Sequence, residues 1–234
     1  MKALIYKELK LAMHPICYVF IAAFPLMILI PSYPIAVGFI YVLTCYPILF
    51  LGANKGQQSN DLLYSTLLPV RKKDIVLARI LTVLLMQTAF ILIMSILYPG
   101  ACYISNVIAE STKAAREAGE QVSDVTIPGL GLKSYVLVLG IAIIGLALAD
   151  LIFFPIYYKK GKSIVMSTLL TILGFALYIC TMTIAVPYIP GLSILNELNI
   201  GIQFAVLGFA ILVSAVIHYF VYKISARRLE KVDF

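Results

Sequence analysis

Six long apolar runs alternate with short polar segments along the chain, at roughly Pro15–Ile30, Ile35–Leu51, Ile80–Tyr98, Tyr135–Phe154, Ile164–Val186 and Ile200–Tyr222. Each is close to the roughly 20 residues that a helix needs to cross about 30 Å of hydrocarbon. The first two are short, contain Pro25 and Pro47, and are separated only by Pro31-Ser32-Tyr33-Pro34. That arrangement predicts a tight helical hairpin with kinks at the internal prolines. A single broken span is the competing reading, but the about 37 residues from His14 to Leu51 are too many for one crossing. The pattern therefore predicts an all-α membrane protein with six transmembrane helices, forming one membrane domain over residues 1–234.

Composition agrees with this pattern. Of 234 residues, 62% are hydrophobic and 12% charged, whereas a soluble domain is about a quarter charged and about half apolar. The first apolar run has no small-residue cleavage site after it, so it is expected to stay as a span rather than leave as a signal peptide. Cys17, Cys45, Cys102 and Cys180 have no CxxC spacing and read as small packed residues, with no metal site or disulfide framework implied.

Basic charge sets the expected orientation. With six spans and the N-terminus inside, the inner segments carry Lys2, Lys7 and Lys10, then Lys55, Arg71, Lys72, Lys73 and Arg79, then Lys159, Lys160 and Lys162, then Lys223, Arg227, Arg228 and Lys231. Those are 15 of the 18 Lys and Arg, and Lys113, Arg116 and Lys133 are the rest. The asymmetry predicts a multi-pass protein with both termini cytoplasmic. The net charge of +7 then acts as an orientation signal with a contribution from anionic lipid, and needs no nucleic acid to explain it.

The polar segments acquire places in this topology. Residues 1–13, "MKALIYKELKLAM", favour helix but are too short and charged to span, so they are expected to lie on the cytoplasmic membrane surface. Their amphipathicity is imperfect, because Glu8 interrupts the apolar arc of Leu4, Ile5 and Ala12. Residues 99–134 form the larger outer loop. Within it Ser105–Gly119 reads as a short separate helix, with Lys113–Glu117 and Arg116–Glu120 four residues apart. A solvated spacer or a role in substrate exit fits that helix equally.

The stretch "NDLLYSTLLPVRKKDIV", Asn60–Val76, is a polar island within the cytoplasmic loop 53–74. Leu62, Leu63, Tyr64, Leu67 and Leu68 would form an apolar helical face, with Asp61 at the favourable N-terminal end of the dipole. Pro69 should end the helix and Arg71, Lys72 and Lys73 mark the membrane surface. Such a face on the wet side of a membrane needs a partner, either lipid or protein.

"NDLLYSTLLPVRKKDIVLARIL" closely resembles the inner-loop segment of ABC-2-type transporter permeases. The likeness is to the compact bacterial subfamily that includes the permeases of the phenol-soluble-modulin peptide exporter. "MKALIYKELKL" is similar to the N-terminal elbow helix of that subfamily, and the order of elbow, spans and loops matches over the whole chain. Thr66 departs from the Ser of the family pattern, and the outer helix Ser105–Gly119 corresponds to no family motif. The resemblance implies a type II ABC exporter-like fold in the bacterial cytoplasmic membrane. It implies a coupling helix formed by Asp61, Leu62, Leu63, Tyr64, Ser65, Thr66, Leu67 and Leu68, seated in a groove of a separate cytoplasmic ATPase. ATP and Mg would belong to that partner, and this chain would hold no cofactor and carry out no catalysis. A second permease subunit, identical or not, would complete the path. It further implies that residues 187–199, with Pro187, Pro190 and the polar pair Asn196 and Glu197, form an outer re-entrant segment. A plain outer loop is the other reading of that segment.

"KKGKS" at Lys159–Ser163 resembles the end of a phosphate-binding loop. However, Ile156 stands where its first Gly belongs and no strand precedes it, so it reads as membrane-flanking charge. Asp150 sits nine residues before Lys159, roughly 13 Å deeper along a helix. An intramembrane acid is a functional candidate, and the plainer reading pairs it with a nearby inner Lys or Arg. Gln87 and Gln203 are expected to hydrogen-bond between helices. His14 and His218 are expected at the interface. No HExxH, GxSxG or paired intramembrane carboxylates occur.

Three function classes follow. The first is an ABC permease subunit exporting a hydrophobic or amphipathic substrate, peptide by resemblance. The second is an ion-gradient-driven secondary transporter, disfavoured because Asp150 is off-centre and no inverted repeat is detectable. The third is a membrane scaffold or enzyme, for which no catalytic constellation appears.

Overall fold

The computed structural model describes residues 2–12, 15–29, 41–42, 45–46, 70–117, 135–160, 164–188 and 199–231. Every regular element among them is helical. Helix α1 (Lys2–Lys7) runs into a π-helical turn at Glu8–Ala12. Helix α2 (Ile16–Ala23) tightens into a 3-10 turn, Phe24–Leu29, at the point where Pro25 removes a backbone donor. Then come α3 (Lys72–Glu117), α4 (Tyr135–Lys160), α5 (Ile164–Tyr188) and α6 (Ile200–Glu230).

Four helices are long and apolar enough to cross a membrane, over Lys72–Ala101, Tyr135–Lys159, Ile164–Met182 and Ile200–Glu230. They correspond to the last four predicted spans. Ile16–Met27 is apolar but shorter, and most of the second predicted span lies outside the described residues.

Helix α4 is the centre of the bundle, packing against α6 and α5, while α3 packs against α6 and the 3-10 turn. Contacts between paired residues fix the directions. Gln87 meets Asp150 and Arg79 meets Tyr157, so α3 and α4 are antiparallel. A Cβ on Gly140 would lie 3.6 Å from that of Ala210, His218 meets Asp150, and Arg228 donates to the Pro155 carbonyl, so α4 and α6 run parallel. The start of α3 and the ends of α4 and α6 thus share one end of the bundle. Glu8, bonded to Arg79, lies there too.

One expectation is corrected. The outer segment Ser105–Gly119 does not begin as a separate helix, because α3 continues unbroken from Lys72 through Pro99 to Glu117. Its 46 residues extend about 69 Å, twice the hydrocarbon thickness. Two contacts brace α3 beside Pro99: the Tyr98 ring stacks on Tyr135 with centroids 3.9 Å apart, and the Tyr135 hydroxyl donates to Ser95 Oγ at 3.3 Å.

Candidate functional site

Two polar clusters lie inside the apolar bundle, two helical turns apart on one face of α4. Asp150 anchors one and Tyr157 the other, seven residues or about 10 Å further along. The buried rings of Phe153 and Phe154 separate them.

The cluster at Asp150 draws on four segments. The Asp150 carboxylate is wholly buried. Its Oδ1 accepts from the Tyr46 hydroxyl at 2.6 Å. Its Oδ2 accepts from Gln87 Nε2 at 2.9 Å and lies 3.0 Å from His218 Nε2. Gln87 Nε2 also donates to the Tyr46 hydroxyl at 3.0 Å, which closes a ring of three side chains. His218 Nδ1 lies 2.7 Å from the Ser214 carbonyl one turn earlier on α6. Burying these groups singly would be costly, and together the carboxylate oxygens, the Tyr46 hydroxyl, Gln87 Nε2 and both imidazole nitrogens have partners.

The geometry revises two expectations. Among the described residues Asp150 pairs with no Lys or Arg, because its depth puts it beside α6 and the Tyr46 segment rather than beside the basic end. His218 is not interfacial: it is 8% exposed and turns inward, since Ser214, His218, Val221 and Ser225 form the narrow stripe of α6 that meets the bundle. No sequence spacing links residues 46, 87, 150 and 218, although Gln87 and Asp150 stand out as rare polar side chains within apolar runs. Gln87 bonds between segments as expected. His14, Asn196, Glu197 and the whole segment Asp61–Leu68 lie outside the described residues.

The second cluster joins the N-terminal helix to α3. Arg79 Nε donates to Glu8 Oε2 at 2.8 Å, with the two side chains 2% and 1% exposed. Arg79 Nη1 donates to the Tyr157 hydroxyl at 3.1 Å, and Lys7 Nζ lies 3.5 Å from Glu8 Oε1. Glu8 therefore interrupts the apolar arc of α1 for a physical reason, since it is the inward partner of a buried guanidinium.

An apolar cavity of about 60 Å³ lies between α3, α4 and α5, walled by Phe90, Met94, Leu146, Phe175 and Tyr178 among others. It is smaller than the roughly 150 Å³ that admits benzene in an engineered cavity, and its lining gives water few partners. A peptide does not fit it. Among the described residues no group of His, Cys, Asp or Glu is arranged to hold a metal ion.

Compared with protein-family models, curated proteins and solved structures, the chain finds no match in any of the three.

Proposed function

We propose that the chain is the membrane-spanning permease subunit of an ATP-driven ABC exporter. Two copies, or this chain and a related one, would enclose a path for a hydrophobic or amphipathic substrate, with peptide the favoured class. ATP and Mg would be bound, and ATP hydrolysed, by separate cytoplasmic subunits seated on Asp61–Leu68.

The observation that carries this reading is the Glu8–Arg79 pair. The two segments that bear the resemblance, "KELKL" and "VRKKDIVLARIL", are distant in sequence, and this buried pair joins them. Arg79 stands about two turns into α3, so a force applied through residues 61–71 would reach α3 and the N-terminal helix as one unit. The α6 face carrying Phe204, Phe209, Leu212, Val216 and Phe220 is exposed and apolar, as a surface turned toward lipid or a second subunit would be.

Affinity purification of the tagged chain from its native host, in mild detergent, tests the proposal. An ATPase subunit with a phosphate-binding loop should accompany it in stoichiometric amount. Its consistent absence, with the permease folded, would contradict the reading.

A further inference from the structure

The proton inventory at His218 is constrained from both sides. Nδ1 faces the Ser214 carbonyl at 2.7 Å, and a carbonyl oxygen can only accept, so Nδ1 carries a hydrogen. The Ser214 hydroxyl is further off, at 3.4 Å. Nε2 faces Asp150 Oδ2 at 3.0 Å, and an ionised carboxylate also only accepts. One proton must therefore lie between Nε2 and Oδ2. Gln87 and Tyr46 already donate to the same carboxylate. Three converging donors are the arrangement of an ionised carboxylate, which leaves the proton on the imidazole.

The groups around this pair supply no substitute charge. From the second apolar run, Tyr46 bonds to Asp150 and buried Tyr41 lies within reach of its charge, with Cys45 beside Tyr41. From α3 comes Gln87, and from α6 itself Ser214. Among the described residues no Lys, Arg or second carboxylate bonds to the quartet. If Nε2 gives its proton to water, its N–H bond breaks and the electron pair stays on the ring. A lone pair then faces a carboxylate oxygen, and a buried negative charge loses its counter-ion.

The consequence falls on α6. Only seven of the 31 residues of α6 are buried in the bundle. Its buried stripe is narrow, and His218 sits in the middle of it.

We propose that Asp150 and His218 form a proton-binding site inside the membrane-spanning bundle, whose proton ties α6 to α4 and whose departure lets the two helices part. The site does not depend on what drives transport. Its failure would leave the ATPase reading intact, and the reverse also holds.

The chain has two histidines, so His14→Gln leaves His218 alone for nitrogen NMR of histidine-labelled protein in lipid nanodiscs. At about pH 8 an imidazole without a carboxylate partner, titrating near about 6.5, is neutral. His218 is expected to keep hydrogen on both nitrogens there, and to lose one when Asp150→Asn is added. Thermal unfolding tests the tie between helices. From pH 6 to 9 the parent protein should lose more stability than Asp150→Asn/His218→Gln, which keeps polar contact but has no proton to release. If the substituted proteins do not fold, the spectrum of His14→Gln alone decides. A neutral imidazole at about pH 8, or the same pH dependence of unfolding in the double variant, would overturn the proposal.

Discussion

Asp150 Oδ2 and His218 Nε2 lie 3.0 Å apart across 68 residues of chain, and the carboxylate they share with Tyr46 and Gln87 is sealed from solvent. A charge at that depth persists because every lone pair that faces another group faces a donor. The quartet should therefore behave as a unit. Tyr46→Phe and Gln87→Leu should each destabilise the protein, and the double variant should cost less than the two together. The expected coupling is on the order of 0.5–3 kcal/mol. A double-mutant cycle on thermal or denaturant unfolding in micelles measures it, and additive effects would mean that the ring is not cooperative.

The Glu8–Arg79 pair predicts an asymmetry of the same origin. Arg79→Met leaves a carboxylate buried at 1% exposure with Lys7, among the described residues, as its remaining cation. Breaking a buried pair by removing one partner typically costs about 3–5 kcal/mol, whereas removing both charges is far milder. Glu8→Gln/Arg79→Met should accordingly be more stable than Arg79→Met alone. Equal stability would mean that water or lipid headgroups reach Glu8.

Much of the architecture was legible in the sequence because lipid imposes simple rules. Four predicted spans appear as four long apolar helices, and Pro25 falls where helical geometry tightens. Asp150 and Gln87 stood out as polar residues among apolar neighbours. Their partners did not, because pairing across 68 or 104 residues depends on helix rotation. His218 was misjudged for the same reason: closeness to a span end says nothing about which way the ring turns. The outer segment was misjudged because the apolar run ends at Tyr98 while the helix does not. Tyr135, from another helix, braces that point.

Packing around α4 predicts a contrast between two glycines. A Cβ on Gly145 would lie 2.8 Å from the Tyr178 ring, which is tethered by its hydroxyl bond to the Ile141 carbonyl. At Gly174 the obstruction is the flexible end of Ile152. Gly145→Ala should cost about 1–3 kcal/mol and Gly174→Ala clearly less. Thermal midpoints of the two single variants check the order, and a reversed order would contradict the packing of α5 on α4.

The proposed orientation, with both termini inside, rests on the distribution of the basic residues. A cysteine at Thr112, beyond Pro99 on α3, should react with an impermeant reagent added to intact cells, and a cysteine at Gln58 should not. Labelling of the Gln58 site from outside would invert the topology.

Coupled ATP hydrolysis bears most directly on the proposed function. Leu63 and Tyr64 are the aliphatic and aromatic anchors of the proposed docking helix, and truncating such anchors often costs about 2 kcal/mol or more of binding. Leu63→Ala/Tyr64→Ala should leave the membrane domain folded and release the ATPase from pull-down. In proteoliposomes, substrate-stimulated hydrolysis should fall to the basal rate of the free ATPase. Unchanged binding and unchanged stimulated hydrolysis in the double variant, at normal expression, would contradict the account and return residues 61–68 to the lipid surface.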